Sequence, residues 1–350
     1  MSRRLRGFVV GLPLVCLVAV FGLVGGTAGA RGRVARVASG RCPYRFAVIT
    51  HGDNGSFWSV VYKGARTAAA DLGCTLTEVY GSQQQGQAQP DDNAENAQIQ
   101  DAINQHVSGI AVSDHDPALM NRTIADAVKH GIPVVLLNAG CDPTDLAQTH
   151  ALTCVGQPEV NAGIASGQRW KKLGKTNVLC VIHQSGQNLL DRCNGLAQGL
   201  GVGSKCKVGN APRKGPACTE LVLSTPNAAS NPQQAVGQVS AYLQAHPGVN
   251  AVMALNNAIG AAIVATHPKA AVATFDVDPQ DLQEVRTGKM AFVVDQQQFL
   301  QGYLPIEFLY LYKKFDGQTV GGGGITQTGP FLVDKGNVGK VNAAANAGLD

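Results

Sequence analysis

Short apolar runs alternate with longer stretches of mixed character along almost the whole chain after residue 44. The short runs are nearly continuous in apolar residues, which is typical of parallel strands that are buried on both faces. The longer stretches repeat their apolar residues with the spacing of one helix face. The short runs predict strands at residues 45–50, 75–80, 109–113, 133–138, 178–183, 220–223, 251–255, 272–275 and 292–294.

Amphipathic helices are predicted between these strands. They cover residues 57–72, 92–106, 118–130, 158–173, 188–200, 233–246 and 257–267, a short segment from Pro279, and a long apolar segment at 299–315. Loops are predicted at residues 83–89, 140–153 and 201–217. The alternation predicts right-handed βαβ units and therefore an α/β fold with parallel sheets. Roughly ten strands could form one sheet, but two smaller sheets suit this chain length better.

The polar residues at strand ends in the stretch 271–312 are the most informative for function. One predicted strand ends in Asp276, and the next ends in Asp295 followed by Gln296. Ligands of open parallel sheets lie in the crevice outside the carboxyl ends of the strands. Carboxylates and carboxamides in that place suit a neutral polyhydroxylated molecule, because each hydroxyl donates one hydrogen bond and accepts two.

Two motifs resemble one known family. They are FDVDPQDLQEVRTGKMAFVVDQQQFLQGYLP, which begins at Phe275, and THGDNGSFWSVVYKGA, which begins at Thr50. Both are similar to the type I periplasmic solute-binding proteins, in the ribose-binding-like branch that serves sugar ABC transporters. The resemblance covers roughly residues 44–335 and therefore nearly all of the chain after its leader.

The resemblance implies two doubly wound parallel-sheet lobes with a ligand cleft between them and a three-strand hinge. The first lobe is expected at residues 44–156 plus 297–327, and the second at 157–296 plus 328–350. The chain is expected to cross between lobes near residues 155–157, 296–298 and 326–329. Closure would then be a hinge motion that ligand contacts from both lobes stabilise.

The first lobe is expected to contribute a polar loop and a flat aromatic ring to the ligand. The candidates after the first strand are Asp53, Asn54, Phe57 and Trp58. A ring there would stack on the apolar face of a sugar; the competing interpretation is a capping loop and two core aromatics. Asn138 ends the fourth strand where many relatives carry Asp-Arg, which disfavours a ribose-like ligand. Asp114 ends the third strand, where it reaches the cleft or caps the next helix.

The second lobe is expected to contribute polar strand-end residues. The candidates are His183, Asn188, Asn256, Asp276 and Gln296. In the family, the aspartate that matches Asp276 accepts hydrogen bonds from two sugar hydroxyls, and Gln296 matches a cleft glutamine beside the hinge. Of Asn256 and its neighbour Asn257, one is expected to cap the following helix and the other to bind the ligand.

Catalysis and an arginine clamp are both disfavoured near His183. The residues around it lack the first glycine of a nucleophile elbow. Relatives often place two arginines in the following helix. Here Leu190 stands at the first position, and Arg192 matches the second, which is usually structural.

The first 30 residues have the three parts of a secretory signal peptide. Arginines open the segment, an apolar run follows at residues 8–24, and Ala28, Gly29 and Ala30 form a small-residue cleavage site. A membrane anchor is the competing interpretation, but the glycines and proline of the run make a poor span. We expect a periplasmic or otherwise extracytoplasmic protein, cleaved after Ala30, with a basic leader at residues 31–43.

The charge of the folded part disfavours one class of partner. Hydrophobic residues make up 45% of the chain and charged residues 15%, an ordinary globular balance. Seven of the 28 basic residues lie before residue 42, which leaves 21 against 24 acidic residues. A mildly acidic surface has no electrostatic footprint for nucleic acid. We expect a monomer with no nucleic-acid partner.

Eight of the nine cysteines follow the leader. An even number in an exported chain indicates disulfides, and the spacings of a zinc site are missing from the sequence. The sequence leaves the connectivity open. Our prediction is pairing between neighbours: Cys42 with Cys74, Cys141 with Cys154, Cys180 with Cys193, and Cys206 with Cys218.

The resemblance implies a binding protein without cofactor or metal. It would capture a monosaccharide or related polyol and deliver it to an ABC permease, performing no chemistry. A sensory binding protein that presents its ligand to a receptor has the same fold and stays open. An exported glycoside hydrolase could pair Asp276 with Asp295, but nothing in the sequence positions a water or leaving group. A lactose-repressor-like regulator would need a helix-turn-helix where the leader lies.

Overall fold

The computed structural model describes residues 42–52, 55–79, 91–225, 228–317 and 324–349. The predicted signal peptide, the loop at 83–89, and the candidate ligand residues Asp53 and Asn54 lie outside these ranges. The described residues belong to one compact unit of the chain. Within the described residues, no helix combines the length and the apolar character needed to span a bilayer.

The strands are short and mostly apolar, as the pattern predicts. Their bounds are β1 Arg45–Ile49, β2 Thr75–Val79, β3 Gly109–Val112, β4 Val134–Leu137, β5 Cys154–Gly156, β6 Asn177–Ile182, β7 Lys207–Val208, β8 Ala217–Val222, β9 Ala251–Ala254, β10 Ala271–Phe275, β11 Val293–Asp295, β12 Ile325–Gln327 and β13 Phe331–Val333.

Helices connect the strands, and several begin at a capping aspartate followed by proline. Their bounds are α1 Ser56–Leu72, α2 Asp92–Asn104, α3 Pro117–Lys129, α4 Pro143–Thr149, α5 Glu159–Lys172, α6 Gln187–Leu200, α7 Pro232–Ala245, α8 Asn257–Ala265, α9 Pro279–Thr287, α10 Gln298–Lys314 and α11 Val338–Ala347.

The strands form two separate sheets, each the centre of one lobe. The first sheet has six strands in the order β12-β5-β4-β3-β1-β2, all paired in parallel. The second has seven strands in the order β13-β11-β10-β9-β6-β8-β7, and only its edge pair, β11 with β13, is antiparallel. The predicted α/β fold of two parallel-sheet lobes is confirmed.

Each sheet has an apolar core on both of its faces, because successive strand residues point to opposite sides. Helices cover both cores. On β1, Phe46 and Val48 enter one apolar cluster, whereas Ala47 and Ile49 enter another. The second sheet repeats this arrangement on β6. Continuous apolar strands are therefore needed to fill two cores per sheet.

The chain crosses between the sheets three times. It leaves the first sheet after β5, returns after β11, and crosses again between β12 and β13. The crossings are paired: β12 runs parallel to β5 in the first sheet, and β13 runs antiparallel to β11 in the second. This is the three-strand hinge that the fold prediction describes.

Helices α5 and α6 pack with their backbones in contact. Each carries two glycines at a spacing of four, Gly163 with Gly167 and Gly195 with Gly199. A Cβ at Gly195 would lie 2.1 Å from the carbonyl oxygen of Val160, far inside van der Waals contact. The glycines therefore set the distance of α6 from the rest of the second lobe. That matters because α6 starts at the cleft between the lobes.

All eight cysteines of the described part form disulfides, and each pairs with its neighbour in sequence as predicted. The bonds join Cys42 to Cys74, Cys141 to Cys154, Cys180 to Cys193, and Cys206 to Cys218. The Cys180–Cys193 bond ties β6 to α6, with 5.9 Å between the Cα atoms. It therefore reinforces the same helix that the glycine contacts position.

Two predicted loops contain regular structure, so those predictions were wrong in part. Residues 140–153 include α4, whose start is a normal one: Asp142 accepts a hydrogen bond from the backbone N–H of Thr144, and Pro143 follows. Residues 201–217 include β7. The strands β5, β12 and β13 have only three residues each, too few for a period to be detected.

Replacing Gly195 by alanine should destabilise the protein by about 1–3 kcal/mol or more, because the new Cβ overlaps the α5 backbone. Gly237 offers the matched control: it lies exposed within α7 and a Cβ there meets nothing within 4 Å. Gly237→Ala should stabilise by about 0.5–1 kcal/mol through helix propensity. Urea denaturation followed by circular dichroism compares the two. Equal midpoints would show that the glycine contacts between α5 and α6 are dispensable.

Candidate ligand-binding site

A polar cavity lies between the two sheets, at the carboxyl ends of their strands. Its volume is about 340 Å³, at the lower end of the range for small-molecule sites. Residues from both lobes line it: His51, Gly52, Gly55, Ser56, Phe57, Trp58 and Asn138 from the first, and His183, Gln184, Asn188, Leu189, Arg192, Ala228, Ala229, Ser230, Leu255, Asn256, Asp276 and Gln296 from the second and its hinge.

Aromatic rings form the wall of the cavity on the first-lobe side. Trp58 lies edge-on to Phe57, with 5.0 Å between ring centroids, and edge-on to His51 at 4.8 Å. The indole occupies the space that a side chain at position 52 would need, since a Cβ on Gly52 would meet its Nε1 at 1.7 Å. Both aromatics also belong to the apolar core of the first lobe. Core packing therefore fixes the rings that the cavity exposes.

Asp276 lies at the opposite wall in a strained backbone conformation, with φ of 72°. It is 3% exposed and accepts a hydrogen bond from the side-chain amide of Gln296. Burial raises the pKa of Asp276 to about 6, although the charge of Arg192 and the Gln296 hydrogen bond oppose the rise. A positive φ is costly for a residue with a Cβ and marks functional sites.

Arg192 is buried behind Asp276, but its charge is already paired. Its Nε and Nη2 donate to the two carboxylate oxygens of Glu159, each at 2.7 Å, and Nη2 also donates to Gln296 Oε1 at 3.0 Å. The guanidinium stacks on Phe275 at 4.5 Å from the ring centroid. Arg192 therefore has the structural role expected of the second family arginine, while it also lines the cavity.

Two histidines at the cavity are neutral. Burial lowers the pKa of His51 well below its usual value, and the charges of His115, His183 and Arg192 add to this effect. Burial, followed by Arg192 and His115, lowers the pKa of His183 to about 3. His51 Nδ1 lies 2.9 Å from Ser113 Oγ, which holds the ring in place. Neutral imidazoles can donate or accept one hydrogen bond per nitrogen, as hydroxylated ligands require.

Two asparagines at the cavity also hold the structure around it. Asn138 has φ of 62° and donates from Nδ2 to Gln301 Oε1 at 3.0 Å, which links β4 to α10. Asn256 caps α8, because its Oδ1 accepts from the backbone N–H of Ile259 at 3.3 Å. Asn257 instead spans the lobes, since its Oδ1 accepts from Ser56 Oγ at 3.0 Å.

The structure brings most of the predicted ligand residues into this one cavity. Those that line it are Phe57, Trp58, Asn138, His183, Asn188, Asn256, Asp276 and Gln296. Asp114 does not: it lines an adjoining cavity of about 230 Å³ that shares Asn138 and Asn188 with the first. The reason is alternation, since Ser113 points to His51 and the next side chain points away, against Gly140. Asp114 does not cap α3 either, because Asp116 does.

Several residues of the cavity wall are not among those that the sequence predicts. His51 and Ser56 lie within the recognised motif, and the rule of polar strand ends applies to His51 directly. Ala228, Ala229 and Ser230 follow β8, and because two of the three are apolar the rule of polar strand ends does not point to them. Arg192 was considered only as a structural residue.

The side chains around the cavity are suited to binding rather than to chemistry. Among the described residues, no three His, Cys, Asp or Glu side chains converge as metal ligands. Arg192, the cation at the wall, is paired with Glu159, and Asp276 accepts a hydrogen bond from Gln296. The remaining polar groups at the wall are amides, hydroxyls and neutral imidazoles. Such a wall offers many neutral hydrogen bonds and one carboxylate acceptor.

Comparison with known families agrees with this chemistry. The sequence model of one protein family, the periplasmic binding protein domain, matches residues 46–318, well over half of the chain. The chain belongs to the periplasmic binding protein family. Proteins of this family bind solutes for transport and are not enzymes. The glycoside hydrolase interpretation is therefore excluded for this periplasmic binding protein.

Solved structures of similar proteins include complexes with small polyols. A carbohydrate transporter protein from Acidothermus cellulolyticus, in complex with myo-inositol, is 33% identical, with a TM-score of 0.76 over 88% of this chain and 99% of that one. A solute-binding protein from Burkholderia graminis, in complex with D-arabinose, shares the fold at 23% identity, with a TM-score of 0.69 over 85% of this chain and 97% of that one.

A curated relative from Sulfolobus acidocaldarius is described as a xylose/arabinose-binding protein, XylF. It is 27% identical over 289 residues, which cover 77% of this chain. The alignment spans 66% of the relative, slightly less than two thirds of its length.

Replacing Asp276 by asparagine should stabilise this periplasmic binding protein above about pH 6. The folded state binds the Asp276 proton more tightly than the unfolded state, where the pKa is 3.8, so stability falls as pH rises from about 4 to about 6. Asparagine does not titrate, so the variant does not lose this stability. Between about pH 4 and neutral pH, the free energy of unfolding of the variant should therefore rise by about 2 kcal/mol relative to that of wild type. Thermal unfolding across this pH range measures it. The exposed Asp101→Asn variant is the control and should show no such trend with pH. If the stability difference between Asp276→Asn and wild type were the same at every pH, burial would not raise the pKa of Asp276.

Proposed function

We propose that this binding protein captures one neutral monosaccharide or cyclic polyol in the cavity between its lobes. The observation that carries the proposal is the combination at the cavity wall of a buried carboxylate, amide side chains from both lobes and an aromatic wall. Sugars and cyclitols present rings of hydroxyls together with apolar C–H faces. Both parts of such a ligand find a partner here.

The charges around the cavity support a neutral ligand. Arg192 is held by Glu159, so among the described residues that line the cavity no unpaired cation is available to a phosphate or carboxylate. His51 and His183 are uncharged at neutral pH. A phosphorylated or acidic sugar would meet Asp276 without a compensating positive charge, which is unfavourable in a buried site.

Each lobe is assigned its own contacts. Trp58 and Phe57 cover an apolar face of the ligand from the first lobe, where Asn138 binds a hydroxyl. Asp276 and Asn256 bind hydroxyls from the second lobe. The neutral histidines and Asn188 provide further hydrogen-bond partners. Asp53 and Asn54, which lie outside the described residues, are proposed as ligand residues as well. The relatives with myo-inositol and D-arabinose support this ligand class.

The proposed cellular role is transport. The chain is exported, its signal peptide is removed after Ala30, and the loaded protein delivers its ligand as a monomer to an ABC permease. Family membership supports an extracytoplasmic place and this kind of partner. The four disulfides agree with an oxidising compartment.

A ligand panel tests the proposal. Neutral monosaccharides and cyclitols, including myo-inositol, D-arabinose, D-xylose and D-allose, should include at least one that raises the melting temperature, whereas glucose 6-phosphate and glucuronate should not. Calorimetry of the strongest hit should show that Asp276→Ala weakens binding by roughly a hundredfold or more, from the loss of charge-assisted hydrogen bonds.

The matched control for that substitution is Asp101→Ala, on the exposed face of α2, which should leave affinity unchanged. No shift with any neutral compound, or a shift confined to the acidic sugars, would contradict the proposed ligand class.

Tryptophan fluorescence should report binding through a single residue. The chain has two tryptophans. Trp58 lines the cavity, whereas Trp170 lies buried in the core of the second lobe, 4.8 Å from the ring centroid of Phe292. A bound ligand covers only the first. Trp58→Phe should abolish the ligand-induced emission change and Trp170→Phe should retain it; the reverse result would place the ligand elsewhere.

A further inference from the structure

His115 joins the two lobes beside the cavity. It follows β3 of the first lobe, and its side chain is 3% exposed. Nδ1 lies 2.8 Å from a carboxylate oxygen of Asp92, at the start of α2. Nε2 lies 2.9 Å from the backbone carbonyl oxygen of Ser185, which follows β6 of the second lobe. One imidazole therefore contacts both halves of the molecule.

Both partners of the ring are hydrogen-bond acceptors. A carbonyl oxygen and a carboxylate oxygen have no proton to donate, so each nitrogen of His115 must carry one. A neutral imidazole has a single N–H and satisfies only one of these contacts. The observed geometry is therefore that of an imidazolium cation.

The second lobe is shaped to admit this ring. Gly186 follows Ser185 and has φ of 150°, a conformation that side chains rarely adopt. A Cβ at Gly186 would lie 3.0 Å from His115 Nε2 and 2.6 Å from Asn188 Oδ1. Any other residue there would push the ring away from the carbonyl that it reaches.

Charged and titratable groups surround His115 on every side. Burial by itself lowers the pKa of His115, but the hydrogen bond and charge of Asp92, the Ser185 carbonyl and the charge of Asp116 outweigh it, so that the pKa is raised. The ring of His51 lies 4.4 Å away between centroids. The other groups that face or couple to His115 are Asp114, His183 and, in the adjoining cavity, Asp191.

We propose that protonated His115 is a positioning residue that latches the two lobes in their ligand-holding arrangement, and that the latch loosens as the pH rises. The inference rests on the proposed function in one respect, that closure of the lobes is what holds the ligand. It does not depend on which ligand is bound. A second contact between the lobes, Ser56 to Asn257, joins a hydroxyl to an amide and does not titrate.

The direction of the pH effect follows from the contacts. Opening the lobes takes the Ser185 carbonyl away from Nε2, which then needs no proton, while Asp92 of the same lobe keeps its contact with Nδ1. The proposal requires this loss to outweigh the burial that closure adds, so that the pKa of His115 is higher in the closed form than in the open form. Closure is therefore favoured most below the open-form pKa, and this advantage is lost as the pH rises through the closed-form pKa. Deprotonation removes one hydrogen bond from a charged donor, that between His115 Nε2 and the Ser185 carbonyl. The ratio of closed to open protein should therefore fall by roughly tenfold.

The test uses the purified, unliganded protein, so that failure of the ligand panel leaves it intact. Histidine-selective NMR titration should give His115 a midpoint above 6.5, the usual value. Asp92→Asn should lower that midpoint. Small-angle X-ray scattering between about pH 5.5 and about 8.5 should show the wild-type protein expanding as the pH rises.

His115→Gln isolates the histidine from Asp276 and Asp114, whose pKa values of about 6 and about 7 fall in the same window. Glutamine keeps one N–H donor group but no charge, and this variant should not expand with pH. The matched control is His130→Gln, which removes an exposed histidine paired with Asp126 on α3 and should behave as wild type. A His115 midpoint at or below 6.5, or identical scattering of wild type and His115→Gln at every pH, overturns the latch.

Discussion

The buried ion pair between Arg192 and Glu159 is the interaction on which the cleft depends. A guanidinium that is 3% exposed is tolerated only when its donors are satisfied. Glu159 takes two of its hydrogen bonds just after the first crossing of the hinge, and Gln296 takes another at the second crossing. The pair therefore ties α5, α6 and the hinge together at the floor of the cavity. Removing either partner would leave an uncompensated charge in the second lobe.

This pairing also decides what the cavity offers a ligand. Because Arg192 is occupied by Glu159 and Gln296, Gln296 can turn its amide N–H towards Asp276. Asp276 is left as an acceptor in a buried place, with neutral histidines and asparagines around it. A site whose cations are already paired within the protein favours a neutral polyhydroxylated ligand over an acidic one. In the proposed function, selectivity by charge therefore arises from contacts within the protein that the ligand does not make.

The fold was predictable where the signal is local, and so were parts of the site. Strand β4 is a continuous apolar run and helix α6 is long enough to show a helical period, and strand ends pointed to Asn138 and Asp276. The three-residue strands β5 and β13 have no local signal and form only because a neighbouring strand pairs with them. Helix α4 lies within a predicted loop although Asp142 and Pro143 mark its start, because its seven residues are too few to show a helical period. Asp114 lines the adjoining cavity, whereas the side chain before it, Ser113, points to the other side and contacts His51.

The sequence left the cysteine connectivity open, and the structure confirms the predicted pairing between neighbours. By itself the sequence determined the α/β class and the two motifs that indicate the family. These properties depend on residues close together in the chain, where period, capping and spacing act. Only the tertiary structure decided which strand ends share a cavity and that Arg192 is satisfied by Glu159. It alone showed that His115 reaches Ser185 in the other lobe. Those contacts join residues that are distant in sequence, and their geometry depends on how the hinge and the helix packing place the two sheets against each other.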